Sequence, residues 1–94
     1  MTFKGNETEK LCRAILSLKD EDECKDFLED ICTIKELQAM AQRLEVAQLL
    51  SEKKTFSEIV EKTGASTATI SRVNRCIMYG TGGYSHVLGK MEEE

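Results

Sequence analysis

At 94 residues the chain can form one small domain, whose core stays marginal unless oligomerisation adds buried area. With no proline, no tryptophan, two tyrosines and three phenylalanines, and a rich supply of Leu, Ile, Glu and Lys, the composition predicts an all-α fold. No apolar run approaches the roughly 18 residues of a membrane span, and a net charge of -4 at pH 7 counts, at first sight, against a nucleic-acid partner.

The first helix is predicted from about Glu7 to Leu18, with Leu11, Ile15 and Leu18 on one face. Asp20 is a natural N-cap for the second, in which Cys24, Phe27, Leu28 and Ile31 recur at helical spacing. Thr33 and Glu36 make a capping-box pattern that opens a third helix running to about Glu52. Ile34, Leu37, Met40, Ala41, Leu44, Val46, Ala47, Leu49 and Leu50 cover more than one stripe of that helix. It should therefore be buried on several sides, in part by a second subunit. Residues 7–52 carry no evident chemistry and are assigned to dimerisation.

Residues 53–80 read as a helix-turn-helix. A short helix from about Phe56 to Thr63 places Phe56, Ile59 and Val60 on one face. Gly64 falls where a left-handed residue must turn the chain, and Ser66 comes next as an N-cap. The helix that begins at Thr67 then points Ile70, Val73 and Ile77 inward. Its other face holds Ala68, Ser71, Arg72 and Arg75, small and hydroxylated near the start and cationic further along, as suits a helix laid into a major groove. Gly80-Thr-Gly-Gly83 is best taken as a C-cap and linker, since no strand or P-loop lysine pattern precedes it. A short last helix from about Tyr84 to Met91 and a frayed acidic end complete residues 81–94, the whole making one domain over residues 1–94.

Regional charge answers the objection raised by the total. Residues 53–80 hold Lys53, Lys54, Lys62, Arg72 and Arg75 against Glu58 and Glu61, a net of +3, so the positive charge lies on the reading unit and the acid elsewhere. The four cysteines, Cys12, Cys24, Cys32 and Cys76, show no Cys-x-x-Cys spacing, and His86 is the single histidine. Free thiols are expected rather than a metal site, and with no Ser/His/acid or Cys/His set the chain is not expected to be an enzyme or to hold a cofactor. The first residues lack the apolar core of a signal peptide, so a soluble cytoplasmic protein is expected.

The run Ala41-Gln-Arg-Leu-Glu-Val-Ala47 and the string Gly64-Ala-Ser-Thr-Ala-Thr-Ile-Ser-Arg72 resemble the Trp repressor superfamily, most closely its small YerC/YecD branch. The likeness extends from about Leu11 to Leu88. With the six helices read above, it implies an all-helical, intertwined homodimer and two reading helices in successive major grooves of a palindromic operator, with half-sites about 34 Å apart. It also implies that Thr67, Ala68 and Ser71 face bases and that Ser57 lies near the DNA backbone. The residues themselves make Arg72, Arg75, Lys53, Lys54 and Lys62 the candidates for phosphates.

The resemblance further implies a small-molecule pocket containing Thr33, Arg43, Thr69 and Arg72. Here the pattern departs, with Val73 in place of a glycine that makes room for an indole and Cys76 in place of a serine. Added carbons in a tight slot cost on the order of 1 to 3 kcal/mol, so tryptophan is not the expected corepressor and the effector is left unidentified. A plainer reading, which we prefer, puts Arg43 and Arg72 in surface ion pairs or phosphate contacts. The sequence thus reads as a DNA-binding transcriptional regulator, a repressor, with a dimeric protein-interaction adaptor as the alternative.

Overall fold

The computed structural model describes residues 5–93, and these form six helices in chain order: α1 (Gly5–Leu16), α2 (Glu21–Ile31), α3 (Ile34–Ser51), α4 (Phe56–Thr63), α5 (Thr67–Tyr79) and α6 (Gly83–Glu92). No strand occurs among the described residues, and the all-α expectation is met. The chain divides into two compact units, Met1–Leu37 and Gln38–Glu94, with the boundary inside α3.

In the first unit the helix starts are set locally. The Glu23 N–H donates to Asp20 Oδ1 at 2.9 Å, and the Lys19 N–H donates to Glu23 Oε1 at 3.0 Å. The same exchange opens α3, where the Thr33 N–H donates to Glu36 Oε1 at 2.8 Å and the Glu36 N–H to Thr33 Oγ1 at 3.0 Å. α1 stops two residues before the predicted Leu18. There the Ser17 hydroxyl donates to the Ala14 carbonyl at 2.6 Å, and a serine side chain that competes for backbone groups in this way favours a helix end. None of the described residues of this unit is buried. Leu11, Ile15, Leu16, Ile31 and Ile34 are exposed, so the apolar faces read from the sequence exist but are not enclosed within one chain.

The second unit holds the core. Val46, Ala47, Leu49, Ile59, Ala65, Ile70 and Val73 are buried together, flanked by Leu50, Ile77, Tyr84 and Leu88. Within one chain fewer apolar side chains are enclosed than share the apolar faces. Phe56 and Val60 are exposed, because α4 has only eight residues and Ile59 alone of its apolar side chains reaches the centre. Without a second subunit α3 buries Val46, Ala47 and Leu49, while Met40 stays exposed and Leu44 half-buried.

The exit of α3 is a tight turn that leads into α4. The Lys54 N–H donates to the Leu49 carbonyl at 3.1 Å and the Lys53 N–H to the Leu50 carbonyl at 3.0 Å, the paired bonds of a Schellman turn. Lys53 therefore takes the left-handed conformation, with φ 67°, the only non-glycine among the described residues to do so. That conformation costs a residue with a Cβ roughly 1 to 2 kcal/mol. Gln42 then ties α3 to the end of α4, its Nε2 donating to the Thr63 carbonyl at 3.2 Å. At the other end of the unit α6 spans Gly83–Glu92, one residue longer at each end than predicted. It takes in one of the three acids expected to fray, the last of which, Glu94, lies outside the described residues.

Candidate nucleic-acid interface

The helix-turn-helix is built from α4, a three-residue turn and α5. Thr55 caps α4 in a full capping box, its N–H donating to Glu58 Oε1 at 2.9 Å and its hydroxyl accepting from the Glu58 N–H at 3.2 Å. The Thr55 N–H and hydroxyl, and after them the charge of Lys54, hold the Glu58 carboxyl below its ordinary pKa of 4.5. Gly64 ends α4 at φ 73°, a left-handed conformation that glycine adopts without a Cβ penalty. The Thr63 hydroxyl donates to the Ile59 carbonyl at 2.7 Å and accepts from the Ala65 N–H at 3.1 Å, which fixes the turn while Ala65 fills the space beneath it.

Ser66 caps α5 as the sequence implies, accepting from the Thr69 N–H at 3.1 Å. Its own hydroxyl donates to Thr69 Oγ1 at 3.1 Å. Beyond the cap, Ile70 and Val73 turn into the core and Ile77 packs at its edge. Thr67, Ala68, Ser71, Arg72 and Arg75 are all exposed on the other side. Within α5 they span eight residue steps, about 12 Å along the helix axis, and a helix with its side chains, about 10 to 12 Å across, fits the width of a B-DNA major groove. At the far end Gly80 closes the helix, its N–H donating to the Cys76 carbonyl at 2.8 Å. A Cβ there would run into that same carbonyl oxygen, so the position suits glycine.

Among the described residues the outer hydroxyls have no competing partners, and of the outer cations Lys54 alone has a charged neighbour, the Glu58 carboxyl, beyond ion-pair distance. The hydroxyls of Ser57, Thr67 and Ser71 make no hydrogen bond among the described residues, whereas those of Ser66, Thr69 and Thr33 are committed to helix starts. Lys53, Lys54, Lys62, Arg72 and Arg75 are exposed, and among the described residues none lies within 4.0 Å of a carboxylate. Local capping thus accounts for the Ser66 hydroxyl and not for those of Thr67 or Ser71.

The residues of the suggested small-molecule pocket are distributed differently. Thr33 belongs to the first unit, and Arg43, Thr69 and Arg72 to the second. Arg43 and Thr69 are half-buried and Arg72 exposed, and neither arginine makes an ion pair among the described residues. Val73 is fully inside, packed with Ile59, Ile70 and Val46. The second unit also carries an open apolar cavity of about 570 Å³, lined by Leu44, Cys76, Gly80, Thr81, Tyr84 and Val87 among others. The sequence pattern alone does not reveal it, since the glycine run reads as a helix end and linker. No helix among the described residues is long and apolar enough to cross a membrane, and no group of three or more His, Cys, Asp or Glu there is placed to hold a metal ion.

Known proteins bear on this geometry. A family model described as Trp repressor protein matches residues 6–92. The chain is 52% identical over 91 residues to the uncharacterized protein YerC of Bacillus subtilis (strain 168), covering 97% of this chain and 88% of that one. A crystal structure of a TrpR-like protein from Eubacterium eligens ATCC 27750 superposes with a TM-score of 0.91 at 55% identity, covering 95% of this chain and 92% of the other. A candidate Trp repressor from Staphylococcus aureus also gives 0.91, at 41% identity over 97% of this chain and 91% of the other.

Proposed function

The chain belongs to the Trp repressor family, and from that premise we propose that it is a sequence-specific transcriptional repressor that reads the DNA major groove as a homodimer. One observation carries the reading. The outer face of α5 presents Thr67, Ser71, Arg72 and Arg75 without partners among the described residues, directly opposite a packed core that holds the helix in place. Groups that have donors to spare, on a helix whose diameter fits the groove, are what direct readout requires.

In this reading Thr67, Ala68 and Ser71 face base edges. Arg72, Arg75, Lys53, Lys54 and Lys62 neutralise phosphates, with Ser57 beside the backbone. A second copy supplies the cover missing from Leu11, Ile15, Leu16, Ile31 and Ile34. The dimer would bind a palindromic operator with half-sites about one helical turn apart. The effector, if Thr33, Arg43, Thr69 and Arg72 serve one, is not tryptophan. In support, Val73 stands where the resemblance places a glycine beside the indole, and its side chain is buried in the core.

Binding of labelled duplexes, selected from a random pool and titrated across salt, tests the reading. Affinity should fall steeply as salt rises. Arg75→Ala should weaken binding to every duplex and reduce the logarithmic salt slope by about 1, whereas Ser71→Ala should mainly alter which half-site is enriched. Indifference to DNA in the parent chain would replace this reading by that of a dimeric adaptor.

A further inference from the structure

Lys53 occupies a position where its backbone geometry favours glycine. At the C′ position of the α3 Schellman turn, with φ 67°, glycine fits without steric cost and asparagine fits with little, but the chain carries a lysine. Attraction between a cation and the negative end of α3 does not explain this, because Lys54, the next residue, supplies it equally well. Nor does an internal contact, since Lys53 is exposed and makes no ion pair among the described residues.

The position has a second property. Lys53 stands two residues before the Thr55 cap of α4, the helix that in a docked helix-turn-helix crosses the DNA backbone. In many helices the first amides themselves hold a phosphate. Here the capping box engages two of them, the Thr55 N–H and the Glu58 N–H, and adds a carboxylate held in its charged form. That entrance is poor for an anion unless nearby cations offset it. Lys54 already lies close enough to Glu58 to act on its carboxyl, which leaves Lys53 as the uncommitted charge at the turn.

We propose that Lys53, one of the five cations assigned to phosphates above, is presented from a left-handed helix cap at which the fold gives up stability to keep its charge at the duplex. The inference rests on the DNA-binding reading above and deepens it by naming where binding and stability conflict. Backbone strain of this kind concentrates at functional positions, and here both halves of the trade can be measured on one variant.

The experiment compares the parent with Lys53→Gly, Lys53→Asn and Lys53→Arg, by thermal unfolding and by titration with a pool of random-sequence duplex DNA across salt. Lys53→Gly should unfold roughly 2 to 6 °C higher than the parent. It should nonetheless bind about 3- to 10-fold more weakly at ~0.1 M salt, with a logarithmic salt slope smaller by about 0.9. Lys53→Asn should share the loss of slope, and Lys53→Arg should keep the parent slope. Because the glycine variant is the more stable protein, its weaker binding cannot come from unfolding. A glycine variant less stable than the parent, or one with the parent's slope, overturns the inference while the regulator reading stands. A parent that binds no duplex at all removes both.

Discussion

Ser66 and Ser71 are the same residue five positions apart, and the structure gives them opposite work. Ser66 spends its hydroxyl on Thr69 and on the start of α5, while Ser71 keeps its own unengaged on the exposed face. Chemistry alone could not separate them, because serine near a helix start serves as a cap or as a contact equally well. Glu58 shows the same dependence on neighbours. Its carboxyl lies below its ordinary pKa because the Thr55 N–H and hydroxyl favour the charged form. A lowered folded-state pKa contributes stability that is fully present above the unfolded value near 4.5 and is lost as the pH falls through the folded value. Glu58→Gln should therefore be less stable than the parent at neutral pH and approach it in acid. Urea midpoints measured from pH 7 downward check this, and a difference that stayed constant with pH would refute it.

At the level of elements, the helices start and stop where side chains can satisfy backbone groups. Asp20, Thr33, Thr55 and Ser66 each bring a hydroxyl or carboxylate to an amide three residues on, and Asp20, Thr33 and Ser66 are legible as caps from the sequence alone. The ends are less legible, as the early stop of α1 at Leu16 shows. A Schellman turn centred on a lysine is likewise hidden from composition, because propensity puts glycine there. The turn between α4 and α5 is the element on which the site depends. Gly64→Ala should cost about 1 to 2 kcal/mol from its left-handed backbone, although a Cβ would meet no neighbouring atom there. Ser66→Ala should cost about 1 kcal/mol by loss of the cap. Urea unfolding with an unchanged m-value checks both, and because the two positions share one turn the double variant should depart from additivity.

Over the whole molecule the distribution of burial is uneven. Seven buried side chains support the second unit, and none of the described residues in Met1–Leu37 is buried. Exposed Leu16, Ile31 and Ile34 in a chain of 94 residues leave an apolar face that a monomer has little means of covering. The expected outcome is a dimer in solution whose Tm rises with protein concentration, since association stabilises only the folded state. Sedimentation equilibrium and melting over a concentration series measure this. A monomer at micromolar concentration with a constant Tm would rule the dimer out.

The amino-acid sequence by itself determined the helical class, the order of six helices, most of the caps, the glycine turn and the string that places the chain in its family. All of these arise from spacing of three and four and from backbone satisfaction within a few residues. The tertiary structure decided which apolar residues are enclosed. It left Phe56 and Val60 outside and drew Val73 fully in, because burial depends on what packs opposite a face and not on the face alone. It also decided which hydroxyls and cations keep no partner among the described residues, and it put Lys53 in a conformation that no local preference would choose. Those outcomes depend on competition among partners brought together by the turn, which no single stretch of sequence contains.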